Sequence, residues 1–125
     1  MISPNKLLCG FILAVFLTAG WQWANAGSQP ETFKGYVLDS ACAFTKNLKK
    51  PISAECAVAC AKAGSPLVIL ADSGTIYWPI SDATPAQGQN DRLIEFAGKR
   101  VAVTGKVYQR GGSRAVVVAT IEVEK

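Results

Sequence analysis

The side chains best equipped for chemistry in this sequence are three cysteines, Cys42, Cys56 and Cys60. A cysteine set can form a disulfide, hold a soft metal or act as a redox nucleophile, depending on compartment and neighbours. The chain contains no histidine. That excludes Ser-His-Asp and Cys-His catalysis, Cys-x-x-Cys-His haem attachment and any imidazole metal ligand. Cys56 and Cys60 are spaced by one helical turn, so their side chains run roughly parallel and a bond between them is not expected. Cys42 is therefore expected to bond to Cys60, or alternatively to Cys56. Closing a loop of about 15 to 19 residues in this way is worth roughly 3 kcal/mol. One thiol is then left over. As an alternative, three converging thiolates would suit Cu(I), and Asp39 or Glu55 could add an oxygen ligand for zinc. Thiol-redox catalysis is the weaker variant, because such enzymes use Cys-x-x-Cys at a helix start and Cys60 lies too deep in its helix.

The second set is aromatic and basic. Tyr77 and Trp78 are adjacent on an expected strand, so one faces the core and the other the surface. Together with Arg100, Lys106 and Tyr108 they form the candidate binding surface, for an unknown protein, a glycan or a small ligand. Nucleic acid is not expected, since the basic residues form no stripe. Acid–base catalysis has little to draw on. Asp72, Asp82, Asp91, Glu122 and Glu124 fall in turns, caps or a solvated strand face, and Ser40 has no base beside it. A non-catalytic module is the expectation.

The elements that must position these groups begin after a secretory signal. Lys6 precedes an apolar run of about 14 residues from Leu7, which is short of the ~20 that span a bilayer. Ala24-Asn25-Ala26 then offers small residues at a cleavage site. Cleavage before Gly27 places the protein in the periplasm or outside the cell, with no membrane span left. Residues 27–32 read as a flexible leader and 33–125 as one domain. Loss of Lys6 from the 13 basic residues leaves 12 against 9 acidic ones, a mild excess spread over a solvated surface. A monomer is expected, with a disulfide-linked dimer open to it through the odd cysteine.

Phe33–Leu38 alternates as a first strand, and Asp39–Cys42 turns the chain away. Residues 52–63 read as a helix capped by Ser53 and stopped by Gly64, with Ile52, Cys56, Ala59, Cys60 and Ala63 on its inner stripe. Leu67–Ala71 and Thr75–Ile80 form a hairpin around Asp72-Ser73-Gly74. A polar loop over 81–90 leads to a short helix, capped by Asn90 or Asp91, that turns Leu93, Phe96 and Ala97 inward. In the last hairpin Val101, Val103 and Val107 share the inner face with Gly105, which marks a bulge or bend. Val117, Ala119, Ile121 and Val123 are expected inward on the final strand, with Thr120, Glu122 and Glu124 outward. Five strands with a helix before the last hairpin match an OB-fold-like β-barrel, with a cysteine-bearing helix inserted after the first strand.

Three segments also carry a resemblance. Gly35-Tyr36-Val37-Leu38-Asp39-Ser40-Ala41-Cys42, Cys56-x-x-x-Cys60 followed by Gly64-Ser65-Pro66, and Phe96–Val107 are similar to a group of small exported bacterial OB-fold-like proteins with a three-cysteine N-terminal region. The resemblance covers most of the chain after residue 26. It implies the fold and the compartment and brings no activity with it.

Overall fold

Five strands form the framework of a computed structural model that describes residues 29–46 and 53–125. The expected signal over 1–26, its cleavage site and Ile52 lie outside those residues. The strands are β1 (Gln29–Asp39), β2 (Leu67–Ala71), β3 (Ile76–Pro79), β4 (Arg100–Arg110) and β5 (Ser113–Val123). They close in the order β1-β2-β3-β5-β4, with β1 pairing β2 and β4 and with β3 and β5 parallel. This is the expected five-stranded OB-fold-like barrel. No helix among the described residues is long and apolar enough to cross a membrane.

Residues 29–32 do not behave as a leader. Glu31 and Thr32 pair with Gly105 and Thr104 of β4, and the Thr32 and Thr104 hydroxyls hydrogen-bond at 2.8 Å. Pro30 and the polar side chains around it look like linker in isolation. The eleven-residue β4 supplies an edge long enough to order them.

Two helices follow β1. α1 (Ser40–Thr45) replaces the expected turn, because the Asp39 carboxylate accepts from the Cys42 N–H at 2.9 Å and starts a helix there. α2 (Ala54–Lys62) begins as expected, with Ser53 Oγ accepting from the Cys56 N–H at 3.0 Å. Its buried face is one position round from the expected stripe. Ala57 and Ala61 are buried, Cys56 and Cys60 flank them, and Ala59 and Ala63 are exposed. Small side chains let α2 lie close to the chain after α3 (Asn90–Leu93), whose last turn continues as a 3-10 turn over Ile94–Phe96. Gly98 makes that approach possible. It has φ +76°, and a Cβ there would run into the Ala54 backbone. Asn90 does not cap α3. Its Oδ1 accepts from Leu67 N at 2.8 Å, while Nδ2 donates to the Ala61 and Ser65 carbonyls. One amide thus ties the end of α2, the start of β2 and α3 together.

The barrel core contains Val37, Ile69, Leu93, Val101, Val103 and Val116, each at most 1% exposed. A second apolar cluster lies on the other side of β1 and β2, where Leu38, Val68 and Leu70 meet Ala43 of α1, flanked by Tyr36, Ile76 and Trp78. Burial on both faces explains why β2 is continuously apolar and buried at every position.

β4 alternates as expected, with Val101, Val103, Gly105 and Val107 buried. β5 does not. Thr104 pairs with Thr120 but Gly105 pairs with Val118, so Ala119 is an extra residue in a β-bulge. Before the bulge Val116 and Val118 point inward, while Val117 is half-buried and Ala119 exposed on the outside. After it Ile121 packs inward as expected, and Val123 is exposed. The bulge sits opposite Gly105 for a steric reason: a Cβ at Gly105 would collide with the Val117 carbonyl.

Candidate functional site

The cysteine locus is built by two capped helices. Cys42 and Cys56 each lie three residues after the residue whose side chain accepts their backbone N–H, Asp39 for α1 and Ser53 for α2. Cys60 follows one turn later on α2. Asp39 is 2% exposed and sits among the thiols. Hydrogen bonding to its carboxylate, then desolvation and its negative charge, push the Cys42 thiol up to about 11. Partial burial, followed by the same charge, raises Cys60 as well. Since the thiolate is the nucleophile, only roughly one Cys42 in ten thousand would be reactive at neutral pH. The thiolate form is thus disfavoured at Cys42 and Cys60.

Cys42, Cys56 and Cys60 are all free thiols, so the expected bond from Cys42 to Cys60 or Cys56 is not made. Among the described residues no three Cys, Asp or Glu side chains are grouped as a metal site would need. The position of Cys42 is set by α1. An unstructured turn could have swung Cys42 onto α2, whereas a helix capped by Asp39 holds Cys42 beside that carboxylate.

Two of the five expected binding residues turn out to serve the barrel itself. Tyr77 is the inward member of its pair, 5% exposed and stacked on Phe33 with ring centroids 4.0 Å apart. Its hydroxyl donates to Glu31 and accepts from Arg114, both at 3.3 Å, closing one end of the barrel. Arg100 donates to both Asp72 oxygens and to Glu124 Oε2, each at 2.6 Å, and lies 5.6 Å from the centroid of the Tyr36 ring. Lys34 also pairs with Glu124. This network holds the Asp72 and Glu124 carboxyls below their usual range, chiefly through hydrogen bonds from Arg100 and Lys34 respectively. With its guanidinium so engaged, Arg100 clamps the β2–β3 turn to the end of β5.

Trp78, Tyr108 and Lys106 do come together, on the outer face of β3, β5 and β4. Ala115 pairs with Trp78 on one side and Tyr108 on the other, so the two aromatic residues flank a small one across three strands. Phe44, 59% exposed, extends the row by stacking on Trp78 at 6.0 Å. Two residues along, Val117 pairs with Lys106 and lies beside Ile80. Ile80 and Val117 floor a cleft of about 370 Å³, walled by the loop after β3 and the start of α3.

Sequence reasoning missed Ala115, Val117 and the cleft. Their one sequence signal is the run Ala115–Val118, which is apolar on both strand faces where a half-solvated strand would alternate. No family model matches the chain, and comparisons with curated proteins and with solved structures find no match either.

Proposed function

We propose that this chain is a non-catalytic binding module exported from the cytoplasm, and that the outer face of β3, β5 and β4 receives its ligand or partner. The observation that carries this reading is the row Phe44, Trp78, Ala115, Tyr108, set in place by strand pairing and by the stacking of Phe44 on Trp78. Aromatic side chains offer large, rigid contact area at little entropic cost, which suits them to recognition. The thiols, by contrast, are held in their unreactive protonated form at Cys42 and Cys60. Export rests on Lys6, the apolar run after it and Ala24-Asn25-Ala26. N-terminal sequencing of the secreted protein should begin at Gly27, and a chain that keeps residues 1–26 would overturn export.

Binding is tested with the mature protein immobilised and challenged with a cell-envelope extract and a glycan panel. The expected result is a retained component that is lost with Tyr108→Ala or Lys106→Glu and kept with Cys42→Ser. Retention that depends on the cysteines and ignores the face would overturn the reading in favour of a thiol function. Equal retention by all variants would remove the face as the site.

A further inference from the structure

We infer that the cleft beside this face, floored by Ile80 and Val117, is a subsite for a neutral polyhydroxylated ligand of the size of one or two sugar rings. The inference rests on the binding-module reading and names the ligand class for one end of its surface. The volume, about 370 Å³, falls in the range of small-molecule sites, roughly 300–1,000 Å³.

The lining decides the class. The floor is two aliphatic side chains, an outcome of the β5 bulge, which leaves Val117 on the outer side while Val116 and Val118 fill the core. The walls carry planar hydrogen-bonding groups: Asp82, Gln87, Gln89, Asp91 and Arg92. Several of these are held by further contacts, within the cleft wall or from outside it. Arg92 donates to the carbonyl of Ala119, the bulge residue, at 3.3 Å. Gln89 Nε2 donates to the Gln87 carbonyl at 3.0 Å. Lys106 pairs with Asp82 at 3.8 Å.

An anionic ligand would meet two carboxylates, and a cation would meet Arg92 with Lys106 close by, so neither sign of charge is favoured. An apolar ligand would strand the amide and carboxylate groups without hydrogen-bond partners. A pyranose ring presents C–H groups on one face and hydroxyls around its rim. That matches an aliphatic floor beneath carboxylate, amide and guanidinium walls. The aromatic row beginning at Tyr108 and Trp78 continues the same surface, so a longer chain leaving the cleft would run onto stacking platforms.

The test uses ¹⁵N-labelled mature protein titrated with maltose, cellobiose and N,N′-diacetylchitobiose, with citrate and spermidine as charged controls. Trp78, the sole tryptophan after removal of Trp21 and Trp23, reports separately on the aromatic face by fluorescence. At least one sugar should give saturable amide shifts concentrated at residues 80–92 and at Val117. Gln89→Ala and Asp91→Ala should each weaken that binding about five-fold, the scale of one lost hydrogen bond. Three results would overturn the inference: no saturable shift with any sugar, tighter binding of a charged control at the same amides, or unchanged affinity in both variants. Sugar-dependent Trp78 fluorescence with no shifts at 80–92 would overturn the cleft while leaving the face intact. If no sugar binds anywhere, the cleft proposal fails and the immobilised-protein experiment still judges the face.

Discussion

β4 and β5 are hydrogen-bonded partners of equal length, eleven residues each, yet they solve different problems. β4 alternates strictly, so its inner face packs the barrel and its outer face carries Arg100, Thr104, Lys106 and Tyr108. β5 is apolar on both faces through Ala115–Val118 and changes phase at Ala119. The difference teaches where a function can arise in a small barrel. A strand that spends one face on the core and the other on solvent is fully occupied. A strand whose outer face is also apolar must be covered by something, and here the loop after β3 covers part of it and leaves a cleft.

The largest expected effect tests the strand that obeys the rule. Val103 is 0% exposed, so Val103→Asp buries an unpaired carboxylate at a cost of several kcal/mol, close to the whole stability margin of roughly 5–15 kcal/mol. Urea melts should find it unfolded or nearly so. Next comes the contact that permits the bulge. Gly105→Ala drives a methyl into the Val117 backbone carbonyl and should cost about 2 kcal/mol. A Gly105→Ala protein as stable as the parent would show that the two strands pair without this close approach.

A neighbouring pair sharpens the phase of β5 directly. Val116→Ala opens a cavity in the core and should cost about 2 kcal/mol, while Val117→Ala on the outer face should cost about half a kcal/mol. Reversed costs in denaturant melts would move the strand by one residue and return Val117 to the core. The smallest effect belongs to the exposed clamp on β4. Asp72 and Glu124 are held below their usual 3.8 and 4.5 by Arg100 and Lys34. Groups depressed on folding contribute stability that is complete above their ordinary values and lost as pH falls through the lowered ones. Arg100→Met should therefore lower stability slightly at pH 7 and flatten the further loss below about pH 4, so that variant and parent converge in acid. An unchanged acid limb would show that the ion network contributes nothing measurable.

Much of the fold could be read along the chain because the deciding interactions are local. Ser53 caps a helix three residues before Cys56, and Gly64 and Gly74 take the positive φ their turns require. The alternation of Val101, Val103 and Val107 is a property of β4 alone. These features give strand, helix and turn in the right order, and that order restricts the barrel to few topologies. The candidate site was less legible. Of the five surface residues expected from sequence, Trp78, Lys106 and Tyr108 share a face, but Tyr77 went to the core, and Arg100 is taken up by acids from residues 28 and 24 positions away.

What the sequence by itself determined, then, is everything set by neighbours within a turn or a strand: the caps, the β2–β3 hairpin, the inward face of β4 and the absence of imidazole chemistry. Tertiary structure alone decided the phase of β5 and the fate of the cysteines. A bulge depends on which residue stands across the ladder, and Gly105 is 14 positions from Ala119 in the chain. Likewise, whether Cys42 can reach Cys60 depends on α1, a six-residue helix too short to be stable in isolation. It persists because Asp39 caps it and because Ala43 is buried against Leu38, Val68 and Leu70, contacts that exist only once β1 and β2 have paired.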